Sequence, residues 1–123
     1  MPAHTTALGK VLVAELSAAD RKRWLTEHAF STVTAHTIAS VEDFESALEI
    51  AKRAGYAVDH EESNLRTVCV AAPVRDHTGA TVAAMSLTCL SIDVNDGRDL
   101  QVAAVIDGAA RVSALLGANA QDR

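Results

Sequence analysis

Thr67, Cys69, Ser86 and Thr88 occupy alternate positions of two runs in TVCVAAPVRDHTGATVAAMSLTC, residues 67–89. Alternate residues of a strand share a face. The runs flank Asp76-His77-Thr78-Gly79, whose glycine can take the left-handed conformation of a short hairpin loop. An antiparallel hairpin over 66–75 and 80–90 is therefore expected. Pairing Arg75 with Ala80 sets Cys69 opposite Ser86, Thr67 opposite Thr88, Val68 opposite Leu87 and Val70 opposite Met85. One face then carries Val68, Val70, Ala72, Val74, Ala83, Met85 and Leu87, which suits a core. The other carries Thr67, Cys69, Ala71, Pro73, Val82, Ala84, Ser86 and Thr88. These side chains are too small to fill much space and too apolar for an ordinary solvated face. Hydroxyls that donate and accept, beside a small thiol, suit the wall of a small-ligand pocket. The same residues would also let a helix or a second subunit pack closely.

Other chemistry finds less support. A nucleophilic Cys69 needs a base nearby, and none of His4, His28, His36, His60 and His77 has a spacing that commits it to Cys69. No catalytic residue is assigned, and the chain is not read as an enzyme. No paired ligand motif joins Cys69 and Asp59 to a histidine, so neither a metal nor a cofactor is expected. Lys10 follows Gly9 without the glycine spacing of a phosphate loop, which leaves it on a solvated helix face. Asp59, from its residue type alone, is a solvent-exposed or turn-capping carboxylate. Arg66 is a surface arginine whose fork could reach a carboxylate.

The elements that must position these residues follow from periodicity and caps. Residues 7–16 place Leu8, Val11, Leu12 and Leu16 on one helical stripe, with Thr5 or Thr6 as cap. Ser17 caps a second helix through 18–28. The β-branched stretch 29–39 has no clear period and is an irregular connection. Ser40 and Asp43 form a variant capping box for a helix over 41–54, which carries Phe44, Ala47, Leu48 and Ala51 inward and stops at Gly55. Residues 56–62 suit an edge strand, and 98–116 form a long amphipathic helix with Val102, Val105, Ile106, Ala109, Val112 and Leu116 on one face, ending at Gly117. The class is α+β, with helices covering one face of an antiparallel sheet. Three strands are few for this much helix, so either further strands lie elsewhere or a partner completes the sheet.

The 123 residues suit one domain, with 49% hydrophobic and 22% charged residues. The net charge of −5, with a basic cluster only at Arg21-Lys22-Arg23, argues against direct nucleic-acid contact. Aromatic residues make up 3%, too few for stacking platforms. Two cysteines do not form a disulfide framework, no apolar run is long enough for a membrane span, and the N-terminus lacks a secretory pattern. The expected location is cytoplasmic.

PAHTTALGKVLVAEL (2–16), TAHTI (34–38), AGYAVDHEE (54–62), CVAAPVRDHTGATVAAMSLT (69–88) and the closing helix to LLG (115–117) occur in this order. Together they resemble the effector-binding domain of IclR-type bacterial transcription regulators, over nearly the whole chain. The resemblance implies a GAF-like α/β domain that senses a small metabolite, often an organic acid. It also implies homodimers or homotetramers, and an N-terminal winged helix-turn-helix in full-length members. Family pockets are lined by residues matching Ala7, Leu8, Asp59, Cys69, Ser86 and Thr88. In this reading the start of the first helix and the hydroxyls of Ser86 and Thr88 hold a carboxylate, Cys69 is a soft wall, and Asp59 accepts from a ligand hydroxyl. The family domain begins upstream of the A-L-G-K segment, so residues 1–123 are expected to be a partial effector-binding domain without its DNA-binding domain. Two positions depart from the family pattern. A glycine is usual where Arg66 stands, and Ser-Gly-Pro where Thr88-Cys89-Leu90 stands.

Overall fold

The structure, a computed structural model, describes residues 1–93 and 98–118. A 3-10 turn, Ala3–Thr5, leads into α1 (Ala7–Ala14). The Thr6 hydroxyl caps α1 by accepting the Gly9 N–H at 2.9 Å. α2 (Ala18–Glu27) and α3 (Val41–Ala54) start likewise, at Ser17 and Ser40, whose Oγ atoms accept from the N–H groups of Asp20 and Asp43. α3 stops at Gly55, as its spacing predicts. β1 (Ala57–His60), β2 (Thr67–Arg75) and β3 (Thr81–Leu90) form one antiparallel sheet in the order β1-β2-β3. α4 (Arg98–Leu115) closes the fold. The class is α+β, and 29–39 contains neither helix nor strand.

Helices cover both faces of the sheet, not one. α4 sets Val105 and Ala109 against Val70, Ala72 and Val74, on the face expected to be core. On the opposite face α1 brings Ala7 and Val11 onto Ala71 and Ala57, with Cys69 and Ala84 at the margin. Part of the small-residue face thus serves close helix packing, the alternative that side-chain size alone had left open. The approach is close because both surfaces are built from small side chains. It turns the Ala7–Val11–Ala14 side of α1 inward and leaves Leu8, Leu12 and Leu16 37–45% exposed. A third apolar cluster, Val13, Ala14, Leu25, Phe44 and Leu48, joins the first three helices.

The hairpin keeps its predicted faces but not its predicted register. Cys69 pairs with Thr88 and Ala71 with Ser86, two residues away from the expected partners. The loop runs over Asp76–Ala80, closed by Asp76 N–H to Ala80 O, which adds one residue. Val74 pairs with Ala83 while Arg75 pairs with Thr81, so Val82 is an extra residue in β3. Each insertion alone would exchange the faces; together they restore the parity.

Arg66 holds φ at +75° in the turn before β2, a conformation that favours glycine. Its N–H donates to Glu61 Oε2 at 2.6 Å, and its carbonyl accepts the Ser91 N–H at 2.7 Å. Both bonds use backbone atoms that glycine retains. Left-handed backbone costs an ordinary residue roughly 1–2 kcal/mol, partly offset by the greater unfolded-state freedom of glycine. Arg66→Gly is expected to stabilise the fold by about 0.5 kcal/mol in urea melts.

His4 is fully buried beneath Phe30. Its Nδ1 meets His28 Nε2 at 2.7 Å, and its Nε2 meets the Ser31 carbonyl at 2.7 Å. The carbonyl can only accept, so His4 carries a proton on Nε2. Burial first, and the neighbouring His4 second, lower the His28 pKa from its ordinary value. The folded chain therefore takes up this proton less readily than the unfolded one. The stability linked to His28 is fully present above the ordinary histidine range and falls as the pH drops through it. Urea midpoints should decline as the pH falls through the ordinary histidine range, and His28→Gln should flatten that part of the decline.

Candidate functional site

One rung of the sheet sets Asp59, Cys69 and Thr88 side by side across all three strands. The next rung on the same face carries Ala57, Ala71 and Ser86. At this end of the face α1 is only beginning, and a cavity of about 210 Å³ opens above the strands. Its floor is Thr67 and Cys69 from β2 with Ser86 and Thr88 from β3. One wall is Thr6 and Leu8 at the start of α1, beside Met1; the other is Asp59, Ser63 and Asn64. At about 30 Å³ per water, the space equals roughly seven water molecules, a small metabolite's volume.

The Thr88 hydroxyl lies 3.4 Å from the Cys69 sulfur and can donate to it. The N–H groups of Ala7 and Leu8 precede the first backbone bond of the helix, Lys10 N–H to Thr6 O. Polar donors thus meet a soft, small-walled hollow near the positive end of a helix.

Five of the six residues named from the sequence, Leu8, Asp59, Cys69, Ser86 and Thr88, line this cavity. Ala7 does not. It is fully buried against Val11, Ala57 and Ala71, so only its backbone is placed to serve the site. Asp59 is buried, not solvent-exposed. Its Oδ1 accepts the N–H groups of Glu62 and Ser63 at 2.7 and 3.4 Å, and its Oδ2 accepts the Ser63 hydroxyl at 2.6 Å. It caps the β1–β2 turn, and these bonds occupy most of its acceptor capacity. Arg66 is exposed and does not line the cavity.

Lys10 departs most from expectation. It is 4% exposed, and its Nζ donates to Glu62 Oε1 and to Val58 O, both at 2.7 Å. The other carboxylate oxygen of Glu62 accepts the His60 N–H at 3.0 Å. The signal was available: Lys10 lies three residues after Ala7, on the inward side of α1 with Val11 and Ala14. Thr34 and Thr37 were also missed. Their hydroxyls donate to the carbonyls of Glu61 and Glu62 at 2.6 and 2.7 Å, tying TAHTI to the same turn.

A larger, open groove of about 570 Å³ between α2 and the start of α3 is lined by charges of both signs, Arg21, Lys22, Glu42 and Glu45. Among the described residues there is no group of three His, Cys, Asp or Glu able to hold a metal ion, and no helix long and apolar enough to cross a membrane.

The chain is 42% identical over 96 residues to the HTH-type transcriptional regulator XynR of Escherichia coli. That match covers 78% of this chain and 38% of XynR, so the chain spans well under half of this curated relative. The crystal structure of the C-terminal domain of E. coli KdgR superposes with a TM-score of 0.86 at 31% identity, over 94% of this chain and 71% of that one. The inducer-binding domain of Acinetobacter PobR, solved as a double mutant with 3-hydroxybenzoic acid, superposes at 0.86 with 26% identity, over 94% of this chain and 67% of that one. Residues 1–114 match the family described as bacterial transcriptional regulator IclR, C-terminal, and the chain belongs to that family.

Proposed function

We propose that this chain is the sensing part of an IclR-type transcription regulator and that it binds a small carboxylic acid in the 210 Å³ cavity. The carrying observation is that Thr67, Cys69, Ser86 and Thr88 converge with the start of α1 around one hollow. The carboxylate takes the hydroxyls of Ser86 and Thr88 and the first N–H groups of α1. The rest of the ligand lies against Cys69 and Leu8. Asp59, already engaged in its turn, shapes the wall and has little capacity left for a ligand hydroxyl. The 3-hydroxybenzoic acid held by the PobR domain is consistent with this ligand class.

Sensing then works by population shift. The acid binds one arrangement of the domain better than another, and in the full-length regulator the arrangement of its subunits alters the spacing of the DNA-binding domains. A structural assembly role with an empty cavity is the second reading, favoured by the outer edge of β3, which pairs with no strand among the described residues.

A thermal-shift screen against small aliphatic and aromatic acids separates the two. Sensing predicts stabilisation by at least one acid, and assembly alone predicts none. For an acid that stabilises, Ser86→Ala with Thr88→Ala is expected to fold and to bind about tenfold or more weakly in calorimetry. Unchanged affinity would remove both hydroxyls from the site.

A further inference from the structure

The connection over residues 29–39 has neither helix nor strand, yet it is bonded to both walls of the cavity. At one end the Ser31 carbonyl accepts from His4 Nε2 at 2.7 Å, and Phe30 packs on the His4 ring. His4 belongs to the 3-10 turn that leads straight into Thr6 and Leu8, the first wall. At the other end the hydroxyls of Thr34 and Thr37 donate to the carbonyls of Glu61 and Glu62. Asp59, Ser63 and Asn64, on either side of these two residues, form the second wall. His4, Thr34 and Thr37 do not line the cavity themselves.

Both hydroxyls are fixed in direction. Thr37 Oγ1 accepts the N–H groups of Thr34 and Val33 at 2.8 and 3.1 Å, and Thr34 Oγ1 accepts the His36 N–H at 3.0 Å. Each hydroxyl therefore has its single proton left for the β1–β2 turn. The turn needs that hold. Glu61 sits at φ +59°, which an ordinary residue keeps only where its surroundings impose it. Its N–H goes to the Thr67 carbonyl and its own carbonyl takes the Thr34 hydroxyl. The next amide, that of Glu62, donates to Asp59 Oδ1 at 2.7 Å, so a change in the turn reaches the cavity wall through Asp59.

We propose that 29–39 is a brace that sets the spacing of the two cavity walls, with His4, Thr34 and Thr37 as its positioning residues. None of them touches the ligand. Together they hold the walls at the distance that an acid needs. The coupling of the walls is a property of the fold alone, and its use in binding an acid rests on the sensing reading. Lys10 and Glu62 join α1 to the same turn directly, so losing one brace bond loosens the walls without releasing them. The brace also makes the walls move together: what frees the β1–β2 turn frees the 3-10 turn.

Thr37→Val keeps the shape of the side chain and loses its hydroxyl, whereas Thr37→Ser keeps the hydroxyl. Amide exchange is followed residue by residue without ligand, against the amides of α4, which belongs to neither wall. Thr37→Val is expected to speed exchange at Glu62 and Ser63 at least about tenfold relative to α4. It is expected to speed exchange also at Thr5 and Thr6, whose N–H groups bond to the Pro2 and Ala3 carbonyls at the far wall. Thr37→Ser stays close to the parent. Thr34→Val acts in the same direction and serves if Thr37→Val does not fold. Faster exchange confined to the β1–β2 turn, or no change in either wall, overturns the brace. With an acid that stabilises the parent, folded Thr37→Val is expected to bind at least about fivefold more weakly in calorimetry, and Thr37→Ser to restore the affinity. Equal affinity in all three overturns the positioning role. If no acid stabilises the parent, the sensing reading fails by itself, and the exchange rates still decide the brace.

Discussion

Gly9→Ala is expected to cost about 2–3 kcal/mol or more, although alanine is the better helix former by roughly 1 kcal/mol. A Cβ on Gly9 would sit 2.0 Å from the Ala3 carbonyl oxygen and 2.7 Å from its carbon. Both are backbone atoms, so no side chain can swing away. The 3-10 turn must lift, taking His4 and Thr5 out of full burial and breaking the His4 contact with the Ser31 carbonyl. Met1, Thr6 and Leu8 move with it, so the cavity loses a wall. Gly108 gives the contrast. A Cβ there meets the Met85 sulfur at 2.9 Å, the far part of a flexible side chain, and Gly108→Ala should be mild by comparison. Urea melts of both variants decide the point. Equal effects would mean that helix propensity, not the Ala3 backbone, governs position 9.

Lys10→Met is expected to destabilise by about 3–5 kcal/mol, because it strands the Glu62 carboxylate in a buried site. The Lys10 and Glu62 side chains are only 5% and 11% exposed, and the Val58 carbonyl loses its donor as well. Lys10→Met combined with Glu62→Gln removes the unpaired charge and keeps an acceptor for the His60 N–H. The double variant should therefore be more stable than Lys10→Met alone, a non-additivity that a double-mutant cycle measures directly. A loss below about 1 kcal/mol in the single variant would place the pair with ordinary surface ion pairs. The neighbouring bridge between Arg75 and Glu15, at 3.1 Å, is partly exposed and should matter less.

Neither position was readable in the sequence, whereas local signals were. Caps at Thr6, Ser17 and Ser40 and the stop at Gly55 are local chemistry, and each appears where its residue type places it. The two faces of the hairpin were legible because alternation survives any even shift. The register was not, because a longer loop and the extra Val82 depend on backbone details that residue types only loosely constrain. Cys69, Ser86 and Thr88 share a cavity because they share a face, which alternation states directly. Lys10 was misread because a lysine at helical spacing is solvated by default, and its partner Glu62 is distant in sequence. Asp59 combines a local role, capping its turn, with a burial that its residue type does not announce.

The most direct test of the central claim is an amide and methyl chemical-shift map of this chain, titrated with whichever small acid stabilises it most. The account predicts the largest changes at Leu8, Cys69, Ser86 and Thr88, with the Gly108 side of the sheet nearly still. Changes centred on the groove of Arg21, Lys22 and Glu45, or no saturable change with any acid that raises the melting temperature, would contradict it.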